Sequence, residues 1–394
     1  MDKIKEILTR GVTDVIEKNH LEKALRGDKK LRIKFGIDPT GPNIHLGHAI
    51  TYWKLKELQD LGHKIVLIIG DFTAQIGDPS DKESERQPLT FEQVKVYETG
   101  YLEQIGHILD LKKCEIRNNS EWHAAGTKQD MIEEAMNFTV NQMIQRDNFE
   151  KRLKADKPVS LHELLYPLLQ GMDSVAIKSD VELGGNDQYF NLLAGRTLQK
   201  RYGQKPQDII TFDLIEGTDG RKMSKSYNNA IYLVDSPDEK FGKVMSVKDE
   251  LISRYFRLLT DLPLTQVEKI EKQLEDGLNP RDAKVILAKA IVARYHGEKA
   301  ADEALKNFEQ VFVKNELPTE IEEFVVLDKN WQLADLLQFV GLVGSKSEAR
   351  RLIEQGGVKV DGASIGDREV ILKPKAGMIV QVGKRKFAKL KLDK

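Results

Sequence analysis

His45 and His48 flank Gly47 where the sequence turns from an apolar run into a helical one. The roughly alternating run Leu31–Ile37 predicts a buried strand. Ala49–Gln59, with Ile50, Trp53, Leu55 and Leu58 at helical spacing, predicts a helix. Between them lies the turn Pro39-Thr40-Gly41-Pro42-Asn43-Ile44. A helix start presents unpaired N–H groups and partial positive charge, so polar side chains gathered there suit a phosphate. Gly47 has no Cβ and lets a flat ring approach the backbone. Alone, the histidine pair fits a solvated couple or a partial metal site better than a catalyst. The lone Cys114 and the lack of a further His/Cys cluster speak against structural zinc.

A second basic stretch, Lys222-Met223-Ser224-Lys225-Ser226, lies in a Gly/Asp-rich loop far downstream and by itself reads as solvated. Two further segments offer polar groups. Tyr166, Gln170 and Asp173 recur at intervals of four and three and share one helix face. A polar stripe among leucines is usually solvated surface, but Leu164, Leu165, Leu168 and Leu169 would bury much of that helix, which makes a pocket lining the alternative. Pro167 restricts it, since proline fits a helix near its start or at a kink. Val181–Gln188 runs from a strand into the double-glycine turn Gly184-Gly185, bringing the Asp187 carboxylate and Gln188 amide where a sugar or amine could be held.

The elements that must position these groups alternate. Lys64–Gly70 reads as an inner parallel strand ending in Asp71–Ser80, and Cys114–Arg117 as another strand. Phe91–Leu109 and about Gln129–Arg152 read as helical, the latter with Met131, Ile132, Ala135, Met136 and Phe138 suited to a core or a subunit interface. Asp2–Arg26 reads as one helix. Strands alternating with helices predict an α/β, doubly wound parallel sheet whose ligands gather at the carboxyl ends of the strands. There is no GxGxxG, so a dehydrogenase has little support. After the Lys222 loop come helical stretches near Asp249–Leu259, Thr265–Glu275, Pro280–His296 and Lys299–Val313. Pro318–Asn330 reads as a linker. Leu333–Val340 and Lys346–Glu354 read as short helices, the second with a capping box of Ser345 and Glu348. Val358–Gly362, Met378–Val382 and Lys386–Leu392 read as strands.

Length and composition agree with two or three domains: 394 residues, 40% hydrophobic and 31% charged. No apolar run approaches the roughly 20 residues that span a bilayer. Met1–Glu6 lacks a signal-peptide core, and one cysteine fits a reducing compartment, so the expected location is cytoplasmic. The net charge of −1 hides an asymmetry: Trp331–Lys394 holds 13 Lys/Arg against 7 Asp/Glu, a surplus of six positive charges. A basic tail on an acidic body suits a polyanion, and Arg350, Arg351, Lys359, Lys384, Arg385 and Lys386 are the candidate contacts.

Pro39–His48 and Lys222–Ser226, in this order, resemble the two signatures of class I aminoacyl-tRNA synthetases. With Asp38-Pro39-Thr40, Gly77–Ser80, Gly184–Gln188 and the basic tail, essentially the whole chain resembles the bacterial tyrosyl-tRNA synthetase family, in its variant with a C-terminal S-four-like RNA-binding domain. The resemblance implies a Rossmann-like catalytic domain over 1–235 with an insertion near 85–160. It further implies a helical anticodon-arm-binding domain over 236–322 and the S-four-like domain over 331–394. The implied reaction joins tyrosine to ATP, releasing pyrophosphate, and then transfers tyrosine to the 3′ end of tRNA(Tyr), in a homodimer. Thr40, His45, His48, Lys222 and Lys225 would be catalytic. Pro39, Gly47, Asp187, Met223, Ser224 and Ser226 would bind ATP, whose Mg²⁺ arrives with the nucleotide and needs no protein cage. Gly36, Asp38, Thr73, Asp78, Tyr166, Gln170, Asp173 and Gln188 would bind tyrosine, with Asp173 at the phenol. A site built for a hydroxyl rejects phenylalanine by leaving a buried polar group unpaired, a behaviour for which tyrosyl synthetases are themselves the standing example.

Two positions depart from the family: Lys34 stands where a tyrosine often shares the phenol contact, and Met172 where another tyrosine is common. Tryptophanyl synthetases share the fold and both signatures, but Asp173 after Gln170 and the C-terminal module favour tyrosine. A non-catalytic RNA-binding protein would not require His45, His48, Lys222 and Lys225 together.

Overall fold

The computed structural model describes residues 2–78, 89–144, 147–224, 227–312, 321–383 and 386–393. In chain order the first elements are α1 (Lys3–Ile7), β1 (Val12–Ile16), α2 (Lys18–Arg26), β2 (Arg32–Ile37), α3 (Leu46–Asp60) and β3 (Lys64–Ile69). Then follow α4 (Phe91–Gly106), β4 (Glu115–Asn118), α5 (Ser120–His123), α6 (Lys128–Ala135), α7 (Val140–Ile144), α8 (Asp147–Lys154), α9 (Leu161–Ile177), β5 (Val181–Gly185), α10 (Tyr189–Arg201) and β6 (Asp208–Phe212). The remaining helices before the tail are α11 (Pro237–Met245), α12 (Ile252–Leu259), α13 (Leu264–Glu275), α14 (Pro280–His296) and α15 (Glu298–Phe312). The tail contains β7 (Glu323–Leu327), β8 (Trp331–Gln332), α16 (Leu333–Phe339), α17 (Lys346–Glu354), β9 (Val358–Val360), β10 (Ala363–Ile365), β11 (Ile371–Leu372), β12 (Ile379–Val382) and β13 (Lys386–Asp393). The chain folds as two units, residues 1–235 with 247–283, and residues 236–246 with 284–394.

In the first unit a six-stranded sheet runs β1-β6-β5-β2-β3-β4. All neighbours are parallel except the edge pair β1 and β6. From β2 the chain winds one way through β3 to β4, then returns to the other side of β2 for β5 and β6. This is the doubly wound α/β architecture, and its switch point lies between β2 and β5, where the loops diverge and leave a crevice. Both strands are nearly dry: Ile33, Val181 and Leu183 are buried, as inner parallel strands require.

Polar residues are buried at this switch point too. Lys34 on β2 lies opposite Glu182 on β5, their charged atoms 2.8 Å apart and both side chains essentially inaccessible. Lys34 Nζ also donates to the Gln170 carbonyl at 2.7 Å and Ser174 Oγ at 2.8 Å, both on α9. Ser174 Oγ and Gln207 Nε2 complete the shell around Glu182. Buried charge is tolerated when paired and hydrogen-bonded in this way.

Several boundaries differ from expectation. Residues 2–26 do not form one helix: Gly11, at φ +69°, ends the first turn, and Val12-Thr13-Asp14-Val15-Ile16 becomes the antiparallel edge strand. Its alternative as a helix loses because β6 offers a ready edge and the segment is rich in β-branched residues. The stretch expected to be helical over about 129–152 is three short helices, α6, α7 and α8, with residues 145 and 146 outside the described residues. Pro167 lies within α9, in its second turn, rather than at the start.

In the second unit, Phe241 of α11 packs on Phe308 of α15, with ring centroids 5.3 Å apart. The tail has a five-stranded sheet, β10-β9-β12-β13-β7, and a small pair, β11 and β8. Its core includes Leu333, Leu336, Leu337, Val358, Val380, Ala388 and Leu390. Part of the expected linker 318–330 is in fact β7, which runs parallel to β13. Its residues alternate, with Val326 buried in the tail core and Phe324 against it while Val325 and Leu327 face outward, so the pairing with β13 and this one-sided burial stabilise it together. The expected capping box is half formed: Ser345 Oγ accepts from the Glu348 N–H, whereas Glu348 accepts from Gly344.

Replacing Lys34 with Met leaves Glu182 buried without its cation and should lower stability by about 3–5 kcal/mol. Lys34→Met with Glu182→Met removes both charges and should recover most of the loss. Urea unfolding of the three proteins measures this; a neutral single variant would show that the pair does not hold β2 to β5.

Candidate active site

The first signature sits at the C-terminal end of β2. Ile37 ends the strand, Asp38, Pro39 and Thr40 turn away from it, and His45 caps the start of α3 in an extended conformation. The rings of His45 and His48 stack, with centroids 3.9 Å apart and planes at 23°. His45 is partly buried, its Nδ1 makes no hydrogen bond, and His48 is exposed. Gly47 has the space the sequence suggested, but His45 itself fills it: a Cβ would stand 3.0 Å from His45 Nδ1 and 3.2 Å from Ile215. Burial first, then the charges of His48 and Lys222, push the His45 pKa down to about 2, so the ring is neutral at ordinary pH.

Backbone pairing brings the second signature to the first. Leu46 N–H donates to the Ile231 carbonyl and Leu233 N–H to that of Ile44, with a bridge between His45 and Tyr232. The preceding loop is organised by Asn229, a buried residue that the sequence reading missed. Its amide donates to Asp219 at 2.7 Å and the Lys222 carbonyl at 3.1 Å, while its Oδ1 accepts from the Ser224 N–H at 2.9 Å. The Asn229 hydrogen bond, with help from Arg221, holds the Asp219 carboxyl down at about 2. Gly217 is required there, since a Cβ would lie 2.3 Å from Asn229 Cγ. Met223 is buried and packs the loop, and its N–H donates to the Ile215 carbonyl. Lys222 Nζ lies 3.3 Å from Asp187 Oδ2, beyond the end of β5. Gly185 makes room for Asp187, whose Oδ1 would be 2.5 Å from a Cβ. Lys225 and Ser226 lie outside the described residues.

Across the crevice, α9 turns its polar stripe toward the strand ends. Tyr166 Oη donates to Asp38 Oδ2 at 2.9 Å, and Thr73 Oγ1 donates to Asp38 Oδ1 at 2.7 Å. Burial, reinforced by the Asp38 and Asp78 carboxylates, pushes the Tyr166 hydroxyl well above its ordinary pKa, so it remains a donor. Gly70 is pressed against this group: a Cβ would lie 1.9 Å from Asp38 Oδ1. A second chain joins Asp78 to Gln188 at 2.6 Å, Gln188 to Asn191 at 2.9 Å, Asn191 to Gln170 at 3.1 Å and Gln170 to Glu182 at 3.2 Å. At the far end of the stripe, the buried Asp173 receives Trp122 Nε1 and His123 Nε2. Gly36 lies within β2, one residue before Ile37. Pro79 and Ser80 of the expected Gly77–Ser80 string lie outside the described residues.

The candidate residues therefore form two adjoining groups. One has the stacked imidazoles of His45 and His48, a helix N-terminus and a lysine; the other is a recess walled by carboxylates, amides and a tyrosine. Asn191, Glu182, Trp122, His123 and Asn229 were missed because isolated polar residues carry no periodic signal. Among the expected nucleic-acid contacts, Arg350 and Arg351 are exposed on α17 and Lys359 on β9. Lys386, at the start of β13, donates to the Leu342 carbonyl at 3.0 Å. Lys384 and Arg385 lie outside the described residues.

The chain is similar to known proteins over nearly its whole length. Residues 26–313 match the family described as tRNA synthetases class I (W and Y), and residues 332–378 match the S4 domain. The tyrosine–tRNA ligase of Carboxydothermus hydrogenoformans is 49% identical over 401 residues, covering 99% of this chain and 98% of that protein. That of Thermotoga maritima is 49% identical over 387 residues, covering 98% and 96%. A C-terminally truncated mitochondrial tyrosyl-tRNA synthetase of Aspergillus nidulans shares the fold with a TM-score of 0.63 at 22% identity, over 79% of this chain and 94% of that one. The Archaeoglobus fulgidus tyrosyl-tRNA synthetase complexed with L-tyrosine gives 0.60, also at 22% identity, over 77% and 99%. With near-complete coverage at 49% identity, and a doubly wound sheet that brings both signatures to its switch point, the chain belongs to the tyrosine–tRNA ligases of class I.

Proposed function

We propose that this enzyme carries out the two steps of its family on the residues just described: tyrosine and ATP give tyrosyl-adenylate and pyrophosphate, and the tyrosyl group then passes to the 3′ end of tRNA(Tyr). The observation that carries this reading is the meeting of Lys222, His45 and Asp187 at one end of a crevice whose other wall is the Tyr166–Asp173 stripe. The tyrosine carboxylate attacks the α-phosphorus and pyrophosphate leaves, so no protein nucleophile is needed. The protein's task is positioning and charge stabilisation.

Thr40, His45 and His48 face the phosphates in this reading, with the α3 terminus behind them. Neutral His45 can donate one N–H without bringing a charge of its own. Lys222 and Lys225 meet the negative charge that moves onto the leaving pyrophosphate. Pro39, Gly47, Met223, Ser224 and Ser226 shape the nucleotide site, and Asp187 takes the ribose once Lys222 turns to phosphate. Mg²⁺ arrives on ATP. Gly36, Asp38, Thr73, Asp78, Tyr166, Gln170 and Gln188 surround the amino acid, and Asp173 accepts from its phenol.

The division into a catalytic domain over 1–235 with an insertion near 85–160, a helical anticodon-arm-binding domain over 236–322 and an RNA-binding domain over 331–394 is part of this proposal. So are tRNA contacts at Arg350, Arg351, Lys359, Lys384, Arg385 and Lys386. A homodimer is supported by side chains left exposed around the insertion, Ile132, Met136, Val140 and Leu161, each more than half accessible. No helix among the described residues is long and apolar enough to cross a membrane. A cytoplasmic location is proposed from the tRNA and ATP substrates and the single cysteine.

Amino-acid-dependent ATP–pyrophosphate exchange without tRNA tests the first step: exchange with tyrosine but not tryptophan or phenylalanine is expected, and exchange with tryptophan would overturn the assignment. His48→Ala should slow adenylate formation on the order of 10²-fold while tyrosine affinity stays within about twofold; equal loss of both, by pre-steady-state kinetics and equilibrium binding, would remove its transition-state role. Deletion of 331–394 should impair tRNA charging far more than pyrophosphate exchange, and tRNA binding by the full chain should weaken steeply with salt. His45 also predicts a pH effect. Its folded pKa lies below the ordinary 6.5, so above pH 6.5 it leaves stability unchanged. As pH falls further, the unfolded chain gains a proton that the folded one refuses, and stability declines by up to about 1.4 kcal/mol per pH unit. His45→Gln should make the acid side of the stability profile shallower between pH 6 and 4.5, measured by urea unfolding.

A further inference from the structure

Asp173 is the only carboxylate of the described pocket stripe on α9, and its surroundings are not those that Lys34 would have given it. Lys34 is committed to Glu182, Ser174 and the Gln170 carbonyl, so it gives Asp173 no second phenol ligand beside it. Instead two neighbours from the short helix α5 converge on one oxygen. Trp122 Nε1 and His123 Nε2 each lie 2.9 Å from Asp173 Oδ1. The side chains of His123 and Asp173 are only 6% and 5% accessible, so water competes little for this contact. Phe72 packs against the imidazole, with centroids 5.3 Å apart and planes at 35°.

The tautomer follows from the carboxylate. Trp122 Nε1 lies 3.2 Å from His123 Nε2 as well as 2.9 Å from Asp173 Oδ1. But a bare Nε2 lone pair 2.9 Å from a carboxylate oxygen would be repelled, so Nε2 bears the proton and donates, and the indole N–H goes to the nearer carboxylate. Two N–H groups then occupy Oδ1, and among the described residues no hydrogen bond falls on Oδ2. An Asp side chain rotates freely about its last torsion unless something pins it; here two donors pin it, and the remaining oxygen is the one left to accept.

We propose that His123, together with Trp122, is a positioning and specificity-determining residue for the amino acid: by saturating Oδ1 of Asp173 it presents Oδ2 to the substrate phenol, in place of a second direct phenol ligand at position 34. The inference rests on the tyrosine-activating reading above. Tyrosine gains from the arrangement because its hydroxyl completes the set of donors. Phenylalanine leaves Oδ2 buried without a donor, and the tighter the carboxylate is held, the less it can relax to relieve that.

The experiment is steady-state pyrophosphate exchange with tyrosine and with phenylalanine on the full chain, its His123→Leu, His123→Gln and Trp122→Phe variants. Thermal unfolding of each is recorded alongside. His123→Leu removes the donor at similar size, and should raise KM for tyrosine and lower the tyrosine-to-phenylalanine ratio of kcat/KM by about tenfold each, with kcat for tyrosine little changed. His123→Gln returns an N–H to the same place and should recover most of both. Trp122→Phe deletes the other donor and should move the ratio in the same direction, so the test stands if the leucine variant does not fold. A ratio unchanged within twofold in His123→Leu and Trp122→Phe would overturn the inference, as would a glutamine variant that folds normally yet recovers nothing. Absence of tyrosine-dependent exchange by the unaltered chain would instead overturn the activation reading itself, before any variant is compared.

Discussion

Lys34 and Glu182 face each other across the pair of strands from which the sheet departs in both directions. A lysine and a glutamate in a dry interior are tolerated only together, and only with their remaining donors and acceptors filled. The groups that fill them belong to the site. The Gln170 carbonyl and Ser174 hydroxyl come from α9, and the Gln170 amide reaches Glu182 from the polar stripe itself. The pair therefore does more than close a gap under the crevice. It fixes the height and rotation of α9 relative to β2 and β5, and through Gln170 it continues into Asn191, Gln188 and Asp78.

The two ends of the crevice are built by opposite electrostatic means. At the amino-acid end, carboxylates are held by hydrogen-bond donors: Tyr166 and Thr73 on Asp38, and Trp122 and His123 on Asp173. The Tyr166, Thr73 and Trp122 donors bring no full positive charge, so the recess stays attractive to an ammonium group and to a hydroxyl. At the phosphate end, burial and a neighbouring lysine keep His45 uncharged, and the positive potential comes from the start of α3 and Lys222. Lys222 rests on Asp187, so its charge is held near the site without being buried. Such a contact is weak enough to exchange for phosphate, in keeping with the small contribution of partly exposed ion pairs.

Local sequence was a good guide where one chain segment sets its own geometry. The apolar runs became β2 and β3, the 166–170–173 spacing became a helix face, and the Asn279–Pro280 start and Gly297 stop bracket α14. It was a poor guide where a partner far away decides. Val12–Ile16 is a strand because the edge of β6 is open to it, and Glu323–Leu327 because β13 lies alongside. Val12–Ile16 has no burial period that marks it as a strand, whereas Glu323–Leu327 alternates inward and outward only once β13 gives it a sheet to face.

The sequence by itself determined the two signatures, the polar stripe and the basic surplus of the last 64 residues, since each is a matter of residue type at fixed spacing. Membership of the family was legible for the same reason. Only the tertiary structure decided what surrounds those residues: that Lys34 turns to Glu182 and not to the pocket, that His45 fills the space left by Gly47, and that Asn229 ties the Lys222 loop together. Trp122 and His123 meet Asp173 across 50 residues of chain or more. A hydrogen bond has no sequence period; it depends on where the sheet and its helices bring two groups within about 3 Å.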